Sequence, residues 1–250
     1  MSISAQIFLN EPVYWEQNIK IYAPLVKEVI GNPKYNEYAN LLTICQEDIW
    51  DMIVKDKDLQ MGTAIPDAPT PFEYLLANCY NNPQIMKDAE EAFEFFTHEK
   101  VKIIPSTRII IFTDGIDKIK DAKDIRNIQE ENYFNFQNKL REVLGEEKKE
   151  PPKLNENPKV AYIKAKARYR EKLKKKKGNK NSISLGTMLT ALCCSGIGLN
   201  PLNIGEITFP AMNEIFKVFQ QKEKYETDLR VATAGFGNKK VKPKYWINPN

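Results

Sequence analysis

One histidine, His98, and four cysteines with no Cys-x-x-Cys spacing are all that a chain of 250 residues offers in soft metal ligands. A histidine-rich zinc site and a Cys-His dyad both need more partners than that, so no metal ligand set is expected. Glycine is equally uninformative for nucleotide binding. Ser195-Gly-Ile-Gly198 has no strand before it, no lysine after it and no third glycine at the required spacing. It reads as the end of a helix, not as a phosphate loop or a nucleophile turn. Long apolar runs are also missing, and nothing reaches the roughly 20 residues that cross a bilayer. Met1 to Asn10 lacks the basic flank and apolar stretch of a secretion signal, so the chain is expected to stay inside a cell. Cys45, Cys79, Cys193 and Cys194 fall on helix faces, and the last two are adjacent, which suits reduced, buried thiols better than a bridge.

What is present is ordinary in bulk and uneven in distribution. Hydrophobic residues make up 42% and charged residues 28%, the balance of a folded soluble protein. The net charge of +4 divides into three parts: residues 1–145 hold 15 Lys and Arg against 23 Asp and Glu, residues 146–180 hold 14 against 5, and residues 181–250 hold 8 against 5. An acidic module, a basic connector and a mildly basic module follow, with boundaries at 1–145, 146–181 and 182–250.

Alternation predicts a hairpin from Ile3–Leu9 and Ile19–Tyr22 around Asn10-Glu-Pro12. Tyr35, Tyr38, Leu41, Leu42 and Cys45 recur at helical spacing. Residues 55–70 read as a loop. Thr70-Pro71-Phe72-Glu73 combines a capping hydroxyl, a first-turn proline and a glutamate three residues on, which starts a helix, and Asn82-Pro83 starts another that runs to His98. Val101–Pro105 and Arg108–Phe112 are β-branched runs that predict a second hairpin. Ile125, Ile128, Phe136, Leu140 and Leu144 predict a helix over 122–144 that stops at Gly145. The connector 146–181 reads as a flexible linker with a conditional basic helix. Helices around Leu185–Leu192 and Ile215–Phe219, separated or bent at Pro210, make up the last module, with Gly235-Phe-Gly237 closing the final helix and Tyr245-Trp246 in a tail that packs back. The expected class is mainly α with short β hairpins (α+β) in the first module and a small all-α second module.

Chemistry is hard to find in this pattern. His98 stands beside Phe95, Phe96 and Glu99 at a helix end, where a protonated ring is favoured by the dipole and a structural role is the simpler reading. Asp114 and Asp117 in Thr113-Asp-Gly-Ile-Asp read as a turn. No catalytic residue, cofactor or metal is expected, and binding other proteins is the leading reading. The segment Ala161–Lys177 carries clustered cations with Tyr162 and Tyr169, so residues 164–177 are also a nucleic-acid candidate, against the plainer reading of a linker helix that docks on the acidic module or a partner. Tyr162, Tyr169, Phe216, Phe219, Tyr245 and Trp246 are the partner-binding candidates.

Several stretches carry a resemblance. Ser184-Leu-Gly-Thr-Met-Leu-Thr-Ala-Leu, Leu199-Asn-Pro-Leu-Asn-Ile, Met212-Asn-Glu-Ile-Phe-Lys-Val-Phe and Lys244-Tyr-Trp-Ile resemble the distal part of phage tail assembly chaperones from phages of Gram-positive bacteria. Ile21-Tyr-Ala-Pro-Leu-Val-Lys-Glu-Val, Tyr35-Asn-Glu-Tyr-Ala-Asn-Leu-Leu-Thr and Ala92-Phe-Glu-Phe-Phe-Thr-His-Glu-Lys-Val resemble the proximal part. The resemblance implies a protein that coats the tape-measure protein, recruits tail-tube subunits and works in the host cytoplasm without a cofactor. It also implies a programmed frameshift between the two parts, for which Lys174-Lys-Lys-Lys-Gly178 is the candidate position, although these lysines read equally well as part of a solvated linker. A virion component of tail or neck, and a nucleic-acid-binding accessory protein, are the alternatives, and self-association is a further possibility.

Overall fold

The computed structural model describes residues 2–55, 69–113, 125–151, 157–178 and 183–234, with the backbone alone for 173–178. The described chain is mainly α, with two small antiparallel sheets. It divides into two compact units: Met1–Ala23 with Asn32–Ser182, and Pro24–Gly31 with Ile183–Asn250. This partition departs from 1–145, 146–181 and 182–250 in two places. Residues 24–31 belong with the C-terminal unit, and the basic helix belongs with the N-terminal one.

In the first unit, α1 (Ile3–Phe8) is followed by strands β1 (Val13–Tyr14) and β2 (Lys20–Ile21), then α3 (Tyr35–Thr43), α4 (Gln46–Lys55), α5 (Pro71–Asn81) and α6 (Pro83–Thr97). Strands β3 (Val101–Ile104), β4 (Ile109–Phe112) and β5 (Asn127–Ile128) form a sheet in that order, and α7 (Glu130–Val143) and α8 (Pro158–Gly178) complete the unit. The start of α5 follows its local chemistry: the Thr70 hydroxyl accepts from the Glu73 amide at 3.1 Å, and the Glu73 carboxylate accepts from the Thr70 amide at 2.9 Å. Asn82 caps α6 in the same way, accepting from Gln84 N at 2.9 Å.

The faces these helices turn inward supply Phe72, Leu75, Phe93, Phe96, Phe136 and Leu140, each almost wholly excluded from solvent. Burial of each contributes about 1.5–3 kcal/mol. Phe93 and Phe136 rings lie 5.4 Å apart, and Trp15 meets Phe136 edge-on at the same distance. Two polar side chains also enter this core. Gln137 donates to the carbonyls of Leu42 and Ile44 at 2.9 Å, and Arg141 donates to the Thr43 carbonyl. The end of α3 thus has its unsatisfied carbonyls filled from α7, with a cation at the negative end of the helix dipole.

Three elements differ from expectation. Residues 3–8 are helical, capped by the Ser2 hydroxyl, and only Ile7 of that helix is buried. The alternation over Ile3, Ala5 and Ile7 therefore reflects chance spacing and no strand face. The hairpin forms instead between 13–14 and 20–21, with Val13 opposite Ile21, and its turn uses positive φ at Gln17 and Asn18. Ile128 belongs to β5, opposite Ile110, and α7 begins at Glu130 behind a Gln129/Asn132 capping box. A periodic apolar pattern carried Ile125 and Ile128 into the helix prediction, but the free edge of β4 takes Ile128 into a fully buried position. The 101–112 hairpin forms as expected, with Val101 opposite Phe112.

The second unit joins α2 (Val26–Gly31) to α9 (Leu185–Cys194) and α10 (Phe209–Thr233). Ser184 caps α9, accepting from Thr187 N at 3.1 Å, and Ser195 ends it, followed by positive φ at Gly196 and Gly198. The Ser195–Gly198 stretch is thus a helix terminus, as its sequence predicts. Pro210 sits in the first turn of α10 behind the Thr208 cap and marks its beginning. The expected closure at Gly235-Phe-Gly237 lies outside the described residues.

Candidate functional site

Surfaces with binding chemistry occur in each unit. In the first, Ala161 and Ala165, four residues apart and hence on one face of α8, pack on Trp50 of α4, with Ile53, Val54 and Tyr162 around them. Small side chains let the two helices approach closely. Charges flank this contact: Arg168 reaches Glu47 at 3.5 Å and Asp51 at 3.8 Å, and Lys172 reaches Asp51 at 2.6 Å. The hydrogen bond that Lys172 donates to the Asp51 carboxylate raises the Lys172 pKa above its ordinary value. The segment expected to be a linker is therefore, over 158–172, a helix seated on α4 through alanines and complementary charge. Exposed pairs of this kind contribute about 0.2–1 kcal/mol each, so the alanine–tryptophan contact carries more of the docking.

A cavity of ≈ 310 Å³ opens beside this contact, lined by Cys45, Glu47, Trp50, Lys148, Lys164 and Arg168 among others. Its chemistry is charged at the rim and apolar at Trp50. Burial pushes the Cys45 pKa up, and the Asp48 carboxylate, 2.8 Å from Sγ, pushes it further, which favours the protonated thiol. Cys79, likewise buried, is pushed up to about 11 by the loss of solvent. The cysteines are free, and Cys194 is exposed where a buried thiol was expected.

His98 ends α6 in a left-handed conformation, φ 55°, and its ring stacks on Tyr22 at 4.2 Å with a 14° interplanar angle. A stacked ring at a helix end is a packing arrangement. Among the described residues no group of three or more His, Cys, Asp or Glu side chains could hold a metal, and no helix is long and apolar enough to cross a membrane. Asp114 and Asp117 lie outside the described residues, as do most of 55–70 and the side chains of Lys174 to Lys177.

The partner-binding candidates meet different fates. Tyr162 is half-buried near Trp50, with Lys166 Nζ 6.0 Å from its ring centre, and Tyr169 is half-buried one heptad on along α8. Phe216 is 7% exposed and belongs to the core of the second unit, with Val26, Leu192, Ile204 and Met212. Phe219 packs beside it at 6.4 Å and is half-buried. Tyr245 and Trp246 lie outside the described residues. Sequence reasoning missed Trp50 and the carboxylates of α4, whose signal was an apolar residue every three to four positions in a strongly acidic stretch. It also missed Val26, for which no local signal exists.

Around the second unit, Ile183, Ile197, Leu202, Val218, Leu229 and Val231 remain exposed, Leu202 at 93%. No curated protein and no solved structure matches the chain. Residues 174–249 match the family model described as the YomV second domain.

Proposed function

We propose that this chain is a non-catalytic phage tail assembly chaperone of the host cytoplasm, binding the tape-measure protein and recruiting tail-tube subunits. The match of residues 174–249 to the YomV second domain carries this reading. It falls on the same region whose sequence resembles the distal part of such chaperones. The physical requirements are compatible: a holder of apolar helices needs exposed apolar side chains on a charged scaffold, and Ile163, Leu202, Val218 and Leu229 stand exposed. Two binding units on one chain raise the effective concentration of one partner near the other.

Coexpression with the neighbouring phage genes, followed by affinity capture of this chain, tests the reading. Recovery of a tape-measure or tube protein in stoichiometric amount is expected. Recovery of the chain alone, with those proteins soluble in the same lysate, overturns it. A programmed frameshift at Lys174–Lys177 belongs to the same proposal, and a continuous frame of mixed lysine codons with only full-length product would remove it while leaving the binding function intact. Nucleic-acid binding through 164–177 is less favoured, because Arg168 and Lys172 already meet carboxylates. A virion component remains the second reading, and persistence of the chain in finished particles distinguishes it.

A further inference from the structure

The second unit is assembled from two stretches far apart in the chain. Val26, fully buried, completes a cluster with Leu192, Ile204, Met212 and Phe216. Its amide donates to the Ile207 carbonyl at 2.9 Å, and the Phe209 amide donates to the Pro24 carbonyl at 2.7 Å, so that Leu25 and Thr208 face one another as an antiparallel bridge. Lys27 pairs with Glu206 at 2.7 Å, across a sequence separation of 179. The approach is close beside that pair, since a Cβ on Gly205 would lie 3.3 Å from the Lys27 Cβ. The short helix itself is held at its start by Glu28, whose carboxylate accepts from the Leu25 amide at 2.7 Å.

None of these contacts depends on the covalent path between residues 31 and 183, so the same contacts form when the two stretches come from different molecules. We propose that 24–31 is a self-association site at which the stretch 183–234 of a second copy of this chain takes the place of its own. The exchange is reciprocal: each copy supplies one short helix and receives one, and the product is a closed two-fold dimer with every intramolecular contact kept. The joint is small, with one fully buried valine, two backbone hydrogen bonds and an exposed ion pair, so it opens at low cost compared with global unfolding. Closure on the chain's own 24–31 wins in dilute solution because the tether supplies an effective concentration on the order of millimolar, and exchange wins where copies are gathered at comparable density. The proposal stands on the composite core and does not require the chaperone reading.

Complementing full-length variants test it. Val26→Asp disables the short helix and leaves the receiving core intact, while Met212→Asp does the reverse. Each alone should be monomeric by light scattering, and the equimolar mixture should give a one-to-one dimer, because the intact 183–234 of the first finds the intact 24–31 of the second. A milder pair, Lys27→Glu and Glu206→Lys, acts at exposed positions that leave folding unaffected. Each alone opposes like charges, whereas reciprocal exchange between the two restores one native and one reversed pair, so mixed dimers should exceed either self-dimer several-fold at high concentration. Should the aspartate variants fail to fold, the charge pair decides by itself. Elution of the charge-pair mixture as the sum of its separate components, with no mixed dimer, overturns the proposal.

Discussion

The two units close their cores in opposite ways. The first builds its interior mostly from elements between residues 35 and 143, where α5 packs on α6, α3 on α6 and α7, and β3 on β4, with Trp15 added from the β1–β2 turn. The second has too few elements to close over Leu192 and Met212 and completes itself with a six-residue helix from the other end of the chain. The first unit's stability should therefore respond to changes within its own sequence span. The second also bears the entropy of bringing residues about 180 positions apart together, a cost that grows only slowly with separation.

The largest effect should come from the first unit's aromatic centre. Phe93→Ala removes a fully buried ring that meets Phe136, and should cost about 3–5 kcal/mol. Denaturant unfolding should show the first unit lost at much lower urea. A change below about 1 kcal/mol would show that this centre is not the cooperative core. Val26→Ala is next, at about 2 kcal/mol from two lost methyl groups and the cavity they leave. Here the location of the effect matters more than its size. Amide exchange should accelerate in α9 and the first half of α10, while α5 to α7 stay protected. Equal acceleration in α6 and α7 would mean that the two units unfold as one.

The same contrast explains how much could be read in advance. Thr70-Pro71-Phe72-Glu73 and Asn82-Pro83 declare their helices because the capping atoms are local, and both caps form as their chemistry requires. The 101–112 hairpin is equally local. Ile128 fails the local reading because only the vacant edge of β4 decides its fate, and residues 3–8 fail it because a short alternation resembles a helix face with one buried position. The fate of 24–31 is the extreme case. Leu25-Val-Lys-Glu-Val looks like any amphipathic turn, and nothing near it in sequence tells that Val26 is buried against Met212. In the candidate site, the basic character of 158–178 was plain, but its seat on Trp50 was not, because alanine carries almost no hydrophobic signal.

A smaller effect sharpens the local side of the comparison. Thr70→Ala removes the hydroxyl from the α5 capping box and should cost about 1 kcal/mol. The bond from the Thr70 backbone, and then Arg108, hold the Glu73 pKa below its ordinary value. A carboxylate whose pKa is depressed on folding contributes stability that is present above its unfolded value of 4.5 and lost as pH falls through the folded one. Glu73→Gln should accordingly match the parent in stability at acid pH and fall behind it at neutral pH. A constant difference from pH 3 to 7 would show that the charge on Glu73 has no part in the cap.

The smallest effect concerns α8, whose seat on α4 mixes apolar contact with charge. Lys172→Met removes the ion pair to Asp51 but leaves Ala161 and Ala165 on Trp50. Because more than half of the Lys172 side chain is exposed, solvent and salt screen the pair strongly. The Lys172 pKa is raised on folding, chiefly by the hydrogen bond it donates to Asp51, so its contribution is complete below the ordinary value of 10.5 and disappears only as pH rises above it. Amide exchange over 158–172 should then differ little between the variant and the parent at neutral pH, by a few-fold at most, and the difference should vanish in high salt. Ala165→Glu at the same site should release the helix outright, since it drives a charge into a fully buried position against Trp50. If Lys172→Met releases α8 as completely as Ala165→Glu does, charge rather than packing holds the basic helix to the acidic unit, and the segment is tethered far more loosely than its buried alanines imply.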